Sequence, residues 1–175
     1  MITVLLLAKG PDLSAQTPRS SEYQIKAVFL LNFAQFVDWP PAAFAAPETP
    51  LVIGVLGEDP FGAQLDEAVR DEKMRGRPLV VRRYGRVEEI GECHVLFIGR
   101  SEASRLGNIV AGLRGRPILT VSDLDQFAQY GGMIRFVMEH NKVRLRINVD
   151  AAKASHLLIS SKLLRPVEIV TAGKG

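Results

Sequence analysis

The stretch LVIGVLGEDPFG (Leu51 to Gly62), with VLFI (Val95 to Ile98) beyond it, decides the fold. LVIGVL is a short, wholly apolar run that ends at glycine and two carboxylates, which reads as a strand buried on both faces and a turn. The pattern then repeats outward. Phe61 to Arg70 reads as a helix with Leu65, Ala68 and Val69 inward, Leu79 to Tyr84 as a second strand, and Val95 to Ile98 as a third. Ala103 to Leu113 is a helix, Ile118 to Val121 a fourth strand, and Leu124 to Tyr130 a short helix ended by Gly131 and Gly132. Apolar strands alternating with helices are the signature of parallel βαβ units.

Toward the C-terminus the pattern changes. Ile134 to Glu139 and Val143 to Val149 are joined by His140-Asn141-Lys142 as a hairpin, and Arg144 and Arg146 alternate with apolar residues, so this strand has one wet face. Ala151 to Leu164 reads as a closing helix stopped near Pro166. Toward the N-terminus, Ser20-Ser21-Glu22 opens a helix running to about Val37, apolar nearly all round and therefore expected to be buried on two sides. Trp39-Pro40-Pro41 stops it, and Ala42 to Pro50 is a linker. The expected architecture is a Rossmann-like α/β sandwich: a mainly parallel sheet with a C-terminal antiparallel pair and helices on both faces.

The 175 residues suit one domain, and 47% hydrophobic with 23% charged residues excludes a disordered or fibrous chain. Residues 1–15 resemble the end of a secretory signal: an apolar run (Ile2 to Ala8), Gly10-Pro11, then Leu13-Ser14-Ala15 as a cut site, without a charged n-region. Residues 16–22 are read as a linker, 23–170 as the domain and 171–175 as a tail. With 22 basic and 19 acidic residues the net charge of +3 is too mild to mark a nucleic-acid binder, and no nucleic-acid partner is expected.

Searches for chemistry mostly fail. Ligands of such sheets gather outside the carboxyl ends of parallel strands. That points to a crevice at Gly57, Glu58, Asp59, Ser101 and Ser122, although the same residues make ordinary turns and caps. Gly57 and Gly62 have the spacing of a phosphate loop, but Ala63-Gln64 stands where lysine and a hydroxyl residue are required. The third strand ends Ile98-Gly99-Arg100, without the aspartate of a phospho-receiver. Cys93 and His94 are strand neighbours pointing to opposite faces, so they form no dyad, and Cys93 is expected to be a structural core residue. No catalytic residue, metal site or cofactor is assigned. Lys73 to Arg86 carries six basic residues and no carboxylate, read as a charged strand edge guarded against aggregation or as an anionic contact. Phe29, Phe33, Phe36 and Trp39 are candidates for a homodimer contact, with ordinary core packing as the equal alternative.

Six blocks, in order, resemble the YfiR family of small periplasmic proteins: YQIKAVFLLNFAQFVDWP (Tyr23 to Pro40), LVIGVLGEDPFG, CHVLFIG (Cys93 to Gly99), RPILTVSD (Arg116 to Asp123), GGMIRFVMEHNKVRLRINVDAAKAS (Gly131 to Ser155) and ISSKLLR (Ile159 to Arg165). The resemblance implies a periplasmic, non-catalytic α/β domain. Its namesake represses a membrane-bound diguanylate cyclase by binding the periplasmic part, lowering cyclic-di-GMP output and biofilm formation; other members serve different signalling proteins, including sensor kinases. The namesake has several cysteines and redox-linked behaviour. Cys93 alone forms no internal bridge, so that behaviour is not carried over. Arg144, Arg146, Asn148 and Lys162 are the candidate contacts to the periplasmic part of an inner-membrane signalling protein, with Asn148 read equally as a helix cap. The alternative function is a periplasmic small-ligand binder using the strand-end crevice.

Expressed from its full gene in its native cells, the protein is expected to start near Gln16 on N-terminal sequencing. An uncleaved cytoplasmic product contradicts export.

Overall fold

The computed structural model describes residues 18–164, 168 and 169; the expected signal cut and tail lie outside them. Helices α1 (Pro18–Phe36), α2 (Ala63–Val69), α3 (Leu106–Leu113), α4 (Val149–Ala154) and α5 (Ser161–Leu164) pack on a sheet. Its strands are β2 (Leu51–Leu56), β3 (Lys73–Met74), β4 (Arg77–Tyr84), β5 (Val95–Ile98), β6 (Leu119–Ser122), β7 (Ile134–Glu139), β8 (Lys142–Ile147) and β10 (Glu168–Ile169). The order is β10-β8-β7-β6-β5-β2-β4-β3. Strands β4, β2, β5, β6 and β7 run parallel, as the apolar runs predict, and β7–β8 is the antiparallel hairpin. A separate two-stranded sheet pairs β1 (Val37–Asp38) with β9 (Leu158–Ile159).

Strand alternation divides the core between the two faces. Ile53, Val55, Val95, Phe97, Leu119 and Val121 face α1 and α2, where Leu30, Phe33 and Leu65 are fully buried. Leu56, Leu96, Ile98 and Ile118 face α3, which contributes Leu106, Ile109, Val110 and Leu113. The result is three layers with helices on both faces. Cys93 lies in the α3-side core, its thiol donating to the Val95 carbonyl at 3.3 Å, and burial pushes its pKa up to about 12. It is an inert core residue, as expected.

Several sequence expectations are corrected. Helix α1 begins at Pro18, so most of the expected linker 16–22 is its first turn. It is not buried all round: Ile25 and Val28 remain 46% and 55% exposed, because the sheet covers only the face carrying Tyr23, Lys26, Leu30 and Phe33. The helix expected from Phe61 starts at Ala63, and that expected from Ala103 begins as a 3₁₀ turn over Arg100–Arg105. Leu124 to Tyr130 forms successive turns rather than a helix. Its bonds are mostly i→i−3, and the chain wraps so tightly around buried Phe127 that a Cβ on Gly132 would lie 2.4 Å from that ring. The closing helix is broken in two. His156 takes a left-handed φ of 60°, where helices commonly end, and Leu158–Ile159 then extends to pair with β1.

The linker after α1 is fastened by His94. Its Nδ1 accepts from the Val52 amide at 3.0 Å, which leaves Nε2–H to donate to the Ala43 carbonyl at 3.1 Å. Phe44 stacks on the imidazole with centroids 4.4 Å apart, and the Trp39 indole donates to the His94 carbonyl at 3.2 Å. Protonation would set two N–H groups against each other at Nδ1, and burial above all holds the pKa below its ordinary 6.5. The unfolded chain therefore takes up a proton first as pH falls. The stability held by neutral His94 is complete above about pH 6.5 and declines from there toward the depressed folded value. In urea unfolding, the stability difference between wild type and His94→Gln should shrink from pH 7.5 to pH 5; a pH-independent difference contradicts this role.

Candidate functional site

The carboxyl ends of β5 and β6 meet the N-terminal half of α1 at a buried charge cluster. Tyr23 and Lys26 are one helical turn apart on α1 and reach the same atom: Asp123 Oδ2 accepts from Tyr23 Oη at 2.8 Å and from Lys26 Nζ at 2.7 Å. Arg100, just past β5, donates through Nε to Oδ1 at 3.2 Å. Lys26 also pairs with Glu22 one turn earlier, and its ammonium lies 4.3 Å from the Tyr23 ring centroid. Lys26 is 1% exposed and Asp123 6%. Burial is the largest influence on the Asp123 carboxyl and pushes its pKa up. The Lys26 bond and charge, the Tyr23 hydroxyl and Arg100 together outweigh it and hold the group below its ordinary 3.8. Tyr23 is pushed up to about 12, by burial first and then by its bond to Asp123. These shifts describe a lock: the carboxylate stays ionised and the phenol stays protonated.

Of the crevice residues read from sequence, Gly57, Glu58 and Ser101 meet and leave little room, while Asp59 and Ser122 bond elsewhere. Gly57 has φ of 83°, and a Cβ there would lie 2.4 Å from Ser101 Oγ. Ser101 accepts from the Glu58 amide at 2.9 Å and donates to Glu102 at 3.2 Å. Buried Glu102 in turn binds Arg105 at 2.6 Å. Asp59 turns aside to the Phe61 amide and Arg83, while fully buried Ser122 donates to the Ile98 carbonyl at 2.8 Å. Sequence reading missed Tyr23, Lys26, Glu22 and Arg100 as a group. The available signal was a lysine on an apolar helix with glutamate at i−4 and tyrosine at i−3.

The basic run Lys73 to Arg86 is largely consumed within the chain. Arg75 pairs with Asp38. Arg77 donates to the Ala46 and Thr49 carbonyls and lies 3.9 Å from the Phe44 ring centroid. Arg83 holds Asp59 and Asp66 at 2.7 and 2.6 Å. Strand β3 covers only Arg77 and Pro78, so from Val80 onward β4 keeps an open edge, and exposed Arg82 and Arg83 lie along it as the charged-edge reading expects.

The aromatic candidates face inward. Phe33 is fully buried and stacks on Phe136 with centroids 6.0 Å apart. Phe29 packs on Phe136 at 5.9 Å, and Phe36 and Trp39 pack against the same core. Asn148, 1% exposed, caps α4 by accepting from the Ala151 amide at 3.0 Å. Arg144 is exposed, whereas Arg146 reaches Glu139 at 3.5 Å. The hairpin register sets Arg135 opposite Arg146, Val137 opposite Arg144 and Glu139 opposite Lys142. These six share the face turned away from Leu145 and Ile147, giving a predominantly basic surface. Leu163 of α5 packs in the core on Leu145's own face, so exposed Lys162 stands apart from that surface.

Fold and cluster define a three-layer α/β domain whose strand-end crevice is filled by its own side chains. The chain belongs to the YfiR/HmsC-like family, whose model matches residues 23–166. YfiR-like proteins are typically periplasmic regulators, generally non-catalytic, and the family implies a regulatory interaction with a membrane signalling protein. No curated protein matches the chain. Among the described residues no helix is long and apolar enough to cross a membrane, and no cluster of His, Cys, Asp or Glu is grouped to hold a metal ion.

Removing one partner of a buried ion pair strands the other, at about 3–5 kcal/mol. Asp123→Ala should destabilise by that order, and Lys26→Met combined with Asp123→Leu by clearly less, read from urea unfolding. The Asp123 contribution is complete above about pH 4 and declines as pH falls toward the depressed folded value, so Asp123→Asn should lose that part of the acid limb. Additive effects of the two single substitutions contradict the lock.

Proposed function

We propose that this chain is a non-enzymatic periplasmic regulator that binds the periplasmic part of a membrane signalling protein, a diguanylate cyclase or a sensor kinase, and represses it by stoichiometric contact. Cyclic-di-GMP or two-component output is then set by occupancy rather than turnover. The observation that carries this reading is the basic face of the β7–β8 hairpin, where Lys142, Arg144 and Arg146 stand together outside the core. Such a face steers encounter with an acidic segment of a partner and makes association sensitive to salt. Family membership supports the partner class. Of the residues first singled out, Arg144 and Arg146 remain proposed contacts, Asn148 serves inside the fold, and Lys162 belongs to a different surface. Self-association through α1 falls to its outward pair, Ile25 and Val28, since Phe33 is committed to the core. A ligand crevice at the strand carboxyl ends is disfavoured by the side chains that fill it.

Membrane proteins captured by crosslinking in native cells supply the partner for a binding assay. Arg144→Glu should weaken binding about tenfold while unfolding as wild type does, and wild-type affinity should fall with added salt. Unchanged affinity with no salt dependence contradicts the proposed contact.

A further inference from the structure

A cavity of about 370 Å³ lies on the α3 side of the sheet, at the amino end of β6 and away from the filled crevice. Its walls are apolar: Val110 and Leu113 from α3, Met133 ahead of β7, and half-buried Ala151 from α4, with exposed Ala154 at the mouth. Its buried polar lining is Thr120, Asn148 and Ser155, and exposed Arg114, Tyr130 and Asp150 stand at the rim.

Asn148 gives this space chemical direction. Its Oδ1 is engaged by the Ala151 amide, which fixes which end of the side-chain amide is oxygen. Its backbone N–H donates to the Met133 carbonyl at 2.7 Å. The Nδ2 group is buried and has no hydrogen-bond partner. A buried donor without a partner is costly, and native interiors rarely leave one beside a cavity unless something else supplies the acceptor. Thr120 Oγ1 already accepts from the Met133 amide, so its own proton is a second donor available to that space.

The geometry points to a binding site for a small, mainly apolar molecule bearing a carbonyl or carboxylate oxygen. The oxygen accepts from Asn148 Nδ2, and the apolar body lies against Val110, Leu113 and Ala151. Few convergent polar groups in an apolar cavity of this size fit a ligand rather than a packing fault. The site goes beyond the regulatory reading, and that reading survives its failure.

Three probes of matched size test it: 3-phenylpropanamide, 3-phenylpropanoate and propylbenzene. Each is titrated into the isotope-labelled full chain while the Asn148 side-chain amide and neighbouring backbone resonances are followed. The amide or the carboxylate should give saturable shifts at Asn148, Thr120 and Val110, with propylbenzene about tenfold weaker for want of the acceptor. The stronger of the two oxygen probes identifies whether a neutral or an ionised acceptor is preferred. Asn148→Ser keeps a capping oxygen but removes Nδ2, and should weaken the oxygen probes toward propylbenzene. Ala154→Leu blocks the cavity mouth from α4 and should abolish binding of all three in a protein with a wild-type fold. No saturable shift with any probe, equal affinity for all three, or binding unchanged in Ala154→Leu overturns the inference and leaves a water as the partner of Nδ2.

Discussion

The domain depends on one buried ion pair. Lys26 stands in the middle of an otherwise apolar helix face, and Asp123, delivered by the end of β6, makes its burial tolerable together with Glu22 one turn earlier. That requirement fixes the rotation of α1 about its axis and its position along the sheet. With Lys26 at Asp123, Leu30 and Phe33 fall over the sheet and Ile25 and Val28 fall outside. The same pair draws Tyr23 and Arg100 to one carboxylate, which fills the place where an open α/β sheet ordinarily receives its ligand. A crevice spent on internal pairing is consistent with a domain that acts through its outer surfaces.

The strands were the most legible part of the sequence. Val95 to Ile98 and Ile134 to Glu139 agree with the structure end to end, because a wholly apolar run or a clean alternation has few other readings. Where the sequence failed, the deciding contact was distant or the element too short to carry a period. Strands β1 and β9 have two residues each and exist only because they meet. Leu124 to Tyr130 has helical composition, but Phe127 and Gly132 must close on each other, and the chain turns instead. Lys26 looked like an interruption of an apolar pattern, since its partner lies 97 residues away.

The candidate contacts were partly legible for the same reason. Alternation in Val143 to Ile147 foretold that Arg144 and Arg146 share a face, and the register with β7 adds Arg135 and Glu139 to it. Period alone could not say that Arg146 would reach Glu139 or that Asn148 would be needed inside. The basic run Lys73 to Arg86 shows the opposite error. It was conspicuous in sequence, yet Arg75, Arg77 and Arg83 are spent on carboxylates and carbonyls that fold onto them. On the hairpin Arg135 and Arg146 are likewise paired, with Asp125 and Glu139, while exposed Lys142 and Arg144 share its outward face.

Under the proposed regulation by contact, the hairpin's charge matters in the cell. The most direct measurement is signalling output after deletion of the gene, with cyclic-di-GMP and the phosphorylation state of neighbouring sensor kinases followed together. Repression by contact predicts that one of these outputs rises on deletion, returns with the wild-type gene, and stays raised with a folded, exported Arg144→Glu protein. Outputs unchanged by deletion, or restored equally by both genes, contradict it.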